Sequence, residues 1–221
     1  MWIERLPNGD RPSLVAMKLA AMRLTQRDGV TCGAAVAVVA GALLDPSYRR
    51  KLTGRSDKAV GVAGRAWFAG EQGRVHHTVN RIWPLRFGTT PMGVARAISV
   101  HSARYGVRYR WRLWRGLWWG RRDGLADVLA AVDAQWPVPM LIGNVIPRHW
   151  VLIVERTGAS AATGDEEADG VRCYEPSSGQ VRHVELAAIR GARLVGVGYP
   201  RPFAFVLPRS GSSAATRSET S

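Results

Sequence analysis

A chain of 221 residues suits one domain of ordinary size, long enough to bury a core. With 46% hydrophobic and 22% charged residues it is not a disordered chain, and two cysteines cannot make a disulfide framework. The formal charge of +14, from 31 basic and 17 acidic residues, raises the question of an acidic partner. Arg is scattered over the whole sequence, which fits Arg-rich codon usage better than a binding face. The opening MWIERLPNGDRP carries acid and proline where a signal peptide needs an apolar stretch, and no apolar run reaches the roughly 18–20 residues of a membrane span. The expected location is the cytoplasm, where thiols stay reduced.

Residues 1–13 read as a polar lead-in, residues 14–208 as a single domain, and the Ser/Thr/Ala-rich 209–221 as a disordered tail. Leu14 to Leu24 is densely apolar and predicts a short helix or an extended arm. It feeds Gln26-Arg27-Asp28-Gly29-Val30-Thr31-Cys32-Gly33-Ala34-Ala35, where a polar loop turns into small and β-branched apolar residues. That change predicts a buried helix opening at Cys32 and running to about Leu44, where Asp45-Pro46 ends it. A cysteine in the first turn feels the positive end of the helix dipole, which favours thiolate. Gln26, six positions upstream, is close enough to fold back beside the sulfur and join the Cys32 N–H in holding an oxyanion. A lone cysteine of this kind is more often a packed core thiol, so the assignment depends on partners elsewhere in the chain.

Residues 47–88 are polar and broken by glycines, and predict loops and short helices with His76 and His77 at the surface. Adjacent histidines diverge on any regular element, so they do not suggest a shared metal. Thr90-Pro91 is a helix start. Val107 to Leu113 alternates, with Val107, Tyr109, Trp111 and Leu113 on one face and Arg108, Arg110 and Arg112 on the other, a half-buried strand with a basic outer face. The following Trp114 to Arg122 interleaves Trp with Arg. This composition can stack bases or lie on an anionic membrane, but a flap whose aromatics pack on the domain is the simpler account. Neither nucleic-acid binding nor membrane-surface contact through 104–122 is the favoured reading.

Asp123 to Ala134 predicts a helix, and Trp136 to Gly143 a buried strand. A turn at 144–148 leads into a strand starting at His149. Thr157 to Gly170 is an acidic hairpin loop, followed by a strand at Val171–Tyr174, a turn at Pro176–Gly179 and a strand at Gln180–Val184. A short helix near Glu185–Ile189 and a strand at Pro202–Leu207 complete the domain. If the His149 and Tyr174 strands pair across the acidic loop, His149 and Glu175 meet at one end. Alone, a histidine at a strand edge or a Glu before Pro means little. Cys173, inside a strand, reads as a packed core thiol.

The order Gln26, Cys32, His149, carboxylate resembles the papain-like cysteine peptidases. The local wording resembles the branch that cuts bacteriocin precursors after a double-glycine leader, together with its uncharacterised relatives. The resemblance covers roughly residues 24–207 by element order, with specific motifs in three short stretches. It implies an α+β papain-like fold, a helical N-terminal part with a central helix at the cysteine, packed on a C-terminal antiparallel sheet. It also implies Gln26 as oxyanion donor, Cys32 as nucleophile and His149 as base, acting on a peptide or protein substrate with no cofactor and no metal. The family's third residue is usually Asp or Asn, and here Glu175 stands one methylene longer. Other readings stay open: a papain-fold module that binds a peptide or protein without cutting it, a nucleic-acid or membrane-surface binder working through residues 104–122, and a transglutaminase-like acyl transferase of the same Cys–His–carboxylate chemistry.

Overall fold

The computed structural model describes residues 18–54, 60–80, 88–114, 124–158 and 169–210. After a helical turn at 18–22, α1 spans Cys32–Leu44 and α2 spans Pro46–Thr53. Pro46 cannot continue α1, and the Asp45 side chain caps α2 by accepting from the backbone N–H groups of Ser47 and Tyr48. Every residue of α1 except Leu43 is buried, as its run of Ala, Gly and Val requires of a helix with no polar face. α3 spans Val62–Val79, α4 spans Pro91–Ser102 and α5 spans Gly124–Asp133. Thr90 caps α4, its hydroxyl accepting from the Gly93 N–H, with Pro91 in the first turn.

Among the described residues six strands form one antiparallel sheet in the order β1-β6-β2-β3-β4-β5. They are β1 (Val107–Leu113), β2 (Val138–Gly143), β3 (Pro147–Thr157), β4 (Gly170–Glu175), β5 (Gln180–Glu185) and β6 (Arg201–Ser210), with the short α6 (Leu186–Arg190) after β5. The architecture is α+β. α1 is the helical hub: it packs on α2, α3 and α4 and also against β3, while α5 covers β2, β3 and β6. The core lies where this hub meets the fully buried β2 and the apolar middle of β3. Among the described residues no helix is long and apolar enough to cross a membrane.

Four expectations need correction. The 47–88 region is not mainly loop, because 62–79 is one helix of 18 residues in which Gly64 and Gly73 serve close packing. A Cβ on Gly64 would lie 2.1 Å from the Leu52 carbonyl oxygen, so Gly there lets α3 cross α2 tightly. His76 is buried rather than at the surface, its Nδ1 3.2 Å from both the Thr89 hydroxyl and the Asn80 amide nitrogen, while His77 is exposed. On β1 the basic face is exposed as expected, but only Val107 and Tyr109 of the opposite face are buried, leaving Trp111 and Leu113 in the open. Finally, β6 runs through Arg209 and Ser210, which pair with Arg108 and Val107, so these two positions belong to the sheet. The Trp/Arg-rich 115–122, most of the acidic 157–170 loop and residues 211–221 lie outside the described residues.

Candidate active site

Cys32 is the first residue of α1 and is buried at 4% exposure. The N–H groups of a helix's first turn have no intrahelical acceptor, so the sulfur lies beside unpaired backbone donors. The loop ahead of it is tightly made. The Asp28 carboxylate accepts from the Val30 N–H, the Thr31 hydroxyl accepts from the Asp28 N–H, and Thr31 itself is fully buried.

β3 brings His149 to this helix end. The neighbouring Trp150 stacks its indole against Gly33, where an added Cβ would lie 2.9 Å from Trp150 Cδ1 and 2.8 Å from Thr89 Cβ. Trp150 Nε1–H donates to the Thr89 carbonyl at 2.9 Å, which fixes the ring. The glycine after the cysteine therefore sets how closely α1 approaches β3. Pairing of Leu152 with Tyr174 and of Ile153 with Cys173 brings the Glu175 end of β4 beside the His149 end of β3, the hairpin expected from the sequence.

His149 Nε2 donates to Glu175 Oε1 at 2.8 Å, and Cys32 lies close enough to act on the same imidazole. With Nε2 on the carboxylate, Nδ1 is the nitrogen left for the sulfur. Burial alone disfavours the charged imidazole. Hydrogen bonds and charge from Cys32 and Glu175 outweigh that burial and hold His149 up at about 9. Glu175 is buried too, which disfavours its charged form. Its hydrogen bonds from His149, the Ser178 hydroxyl and the Ser177 and Ser178 N–H groups nevertheless hold it well below the usual carboxylate range. The extra methylene thus reaches a carboxylate cradle made by the turn itself. Cys173 is fully buried in β4 and is pushed up to about 12 by that burial alone.

Gln26 joins the same end of the fold. Its N–H donates to the Pro176 carbonyl at 2.7 Å, and its side-chain oxygen accepts from the Ser177 hydroxyl at 3.4 Å. Its Nε2 donates to the Asp28 carbonyl at 2.8 Å, which leaves the second amide hydrogen for another acceptor. Sequence reasoning missed the group that holds this loop. Gln72 of α3, fully buried, accepts from the Arg27 N–H at 2.9 Å and donates to the Thr25 carbonyl at 3.3 Å, gripping the backbone on both sides of Gln26. The Tyr174 hydroxyl adds a donor to the Leu24 carbonyl at 2.6 Å. Tyr199, its ring centroid 6.2 Å from the imidazole, and Gly198 flank the other side of His149. No motif marks Gln72, because its partners are backbone groups 45 and 47 positions away.

The sequence matches no protein-family model and no curated protein sequence.

Proposed function

We propose that the chain is a cysteine peptidase of papain-like fold, hydrolysing an amide bond in a peptide or protein through Cys32, His149 and Glu175, with Gln26 as oxyanion donor. The observation that carries this is His149 tied to a carboxylate at 2.8 Å on the strand that packs against the buried helix opened by Cys32, near enough for the cysteine to raise the imidazole. With His149 up at about 9, the imidazolium persists through neutral pH, a positive charge that favours the attacking sulfur as thiolate. The thiolate attacks the scissile carbonyl, and the oxyanion accepts from the Cys32 N–H and the free Gln26 amide hydrogen. His149 then protonates the leaving amine. Water, deprotonated by the neutral imidazole, releases the acid from the thioester. Glu175 exchanges no proton; it fixes the ring and stabilises its charged form. Both cysteines are free thiols, in keeping with action in a reducing compartment.

Iodoacetamide at about pH 6 tests the reading without knowledge of the substrate. Cys32 is expected to react at least about a hundredfold faster than Cys173, and His149→Ala is expected to remove that advantage. Equal labelling of the two thiols in the wild type would sink the assignment.

The loop clamp gives a second test. Gln72→Leu leaves the Thr25 carbonyl and the Arg27 N–H without their partner, at about 1–3 kcal/mol for each buried group. Hydrolysis of p-nitrophenyl acetate, which passes through an oxyanion, is expected to fall about tenfold or more. Alkylation of Cys32 needs no oxyanion donor and is expected to stay within about twofold of wild type. A parallel loss of both rates would show that Gln72 supports the fold generally and not the Gln26 loop.

A further inference from the structure

A groove of about 580 Å³ runs along the outer edge of β1, far along the sheet from the β3–β4 end that carries His149 and Glu175. One wall is a single stripe of α4, with Met92, Arg96 and Val100 at helical spacing. The other wall is Arg108, Arg110 and Trp111 of β1. Consecutive strand residues line the groove, so it follows the strand's edge rather than one of its faces.

The backbone there is oriented outward. The Tyr109 N–H donates to the Ser99 hydroxyl at 2.9 Å, and the Val107 carbonyl accepts from the Ser102 hydroxyl at 2.8 Å. Two α4 serines thus close the first part of the edge. By the two-residue period of a strand, the N–H and C=O of Trp111 face the same way, beyond the serines' reach. Among the described residues no strand lies outside β1. Trp111 is 47% exposed, Met92 51% and Val100 73%, an apolar lining left in water. Arg112 has an ion-pair partner in Asp127, whereas Arg96, Arg108 and Arg110 have none among the described residues.

We propose that this groove docks an extended acidic segment of a partner protein, which adds as a strand along the Trp111–Leu113 edge. Its carboxylates meet Arg96, Arg108 and Arg110, and an apolar side chain seats against Met92, Val100 and Trp111. Only a polypeptide backbone supplies the alternating N–H and C=O that answer a strand edge, which favours a peptide over nucleic acid or a lipid surface. Unpaired arginines at the rim give the charge preference and the rate of encounter. The proposal stands apart from the peptidase reading and does not need it.

The test is fluorescence anisotropy of the full chain with a panel of labelled seven-residue peptides, Glu alternating with Val, Leu, Ile or Phe, beside matched peptides with Lys for Glu. Acidic members are expected to bind with a Kd on the order of 10 µM at about 150 mM salt, and basic members at least about tenfold more weakly. The double variant Arg108→Glu, Arg110→Glu is expected to reverse the preference, and Trp111→Ala to weaken binding about tenfold, with circular dichroism and thermal unfolding unchanged because all three side chains are exposed. Backbone N-methylation of an acidic peptide at alternate residues is expected to abolish binding by blocking strand addition. No preference for acidic over basic peptides, or no loss on N-methylation, overturns the proposal. So does tight retention of single-stranded DNA or of phosphatidylserine vesicles that the double variant loses while no peptide binds.

Discussion

Cys32→Ala is expected to abolish hydrolysis of p-nitrophenyl acetate, and His149→Ala to lower it by about a thousandfold. The Glu175 series then separates geometry from charge. The hydrogen bond from His149 to Glu175 is charge-assisted and buried, a class worth about 1.5–3 kcal/mol, which is about 10- to 100-fold in rate. Glu175→Gln keeps the length but loses the charge, so its rate is expected to fall by about tenfold, and Glu175→Ala by more. Glu175→Asp keeps the charge but draws it one methylene back from His149, with a moderate loss expected.

The pH profile checks the sign. The carboxylate is one of the groups that hold His149 up at about 9, so its removal favours the neutral imidazole. The acid limb of Cys32 alkylation is therefore expected to move to higher pH in Glu175→Gln, with the largest loss near pH 6 and the least at alkaline pH, where the thiolate forms without the imidazolium. If Glu175→Ala leaves the rate, the alkylation and that limb unchanged, the carboxylate takes no part and the site is at most a Cys–His dyad.

Gly33→Ala is the second large effect. The new methyl would lie 2.8 Å from Thr89 Cβ and 2.9 Å from the Trp150 ring. Both neighbours are buried and Trp150 is tied by its Nε1–H, so neither can swing aside. Overpacking of this kind costs about 1–3 kcal/mol, against which the better helix propensity of Ala returns at most about 1 kcal/mol. Relief comes by pushing β3 from α1, which carries His149 away from Cys32. A misplacement of about 1 Å is worth about a hundredfold in rate. Thermal unfolding is expected a few degrees lower, by about 2–4 °C for each net kcal/mol, with alkylation losing its His149 dependence. Wild-type unfolding together with wild-type alkylation would show that Trp150 does not set this spacing.

How far the sequence spoke depended on whether a residue's partners were near it in the chain. The limits of α1 were legible because Asp45-Pro46 is a local stop signal, and the β3–β4 hairpin because its alternation survives without knowledge of neighbours. The helix 62–79 was not, since Gly64 and Gly73 look like breakers until Leu52 and Arg27 are seen against them. His76 was misjudged for the same reason: its burial comes from Thr89 and Asn80, not from its own polar surroundings in sequence. On β1 the period was right, but periodicity cannot say that α4 would cover only the Val107–Tyr109 end. Cys32, His149 and Glu175 stood out as candidates because each lies at or near the end of a regular element. Gln72, in the middle of one, left no mark.

The turn after β4 has a consequence for how this chain can drift. Glu175 receives the imidazole, Pro176 receives the Gln26 N–H, Ser177 and Ser178 hold the carboxylate, and Gly179, at a φ of 67°, lies against the backbone of Arg23 and Leu24. Five consecutive positions therefore answer to both halves of the site at once. An inserted or deleted residue there would displace the histidine's support and the glutamine's anchor in one step, and no single compensating change elsewhere could restore both. The length of this turn is held jointly by two parts of the site, which closes it to the stepwise lengthening that surface hairpins usually tolerate.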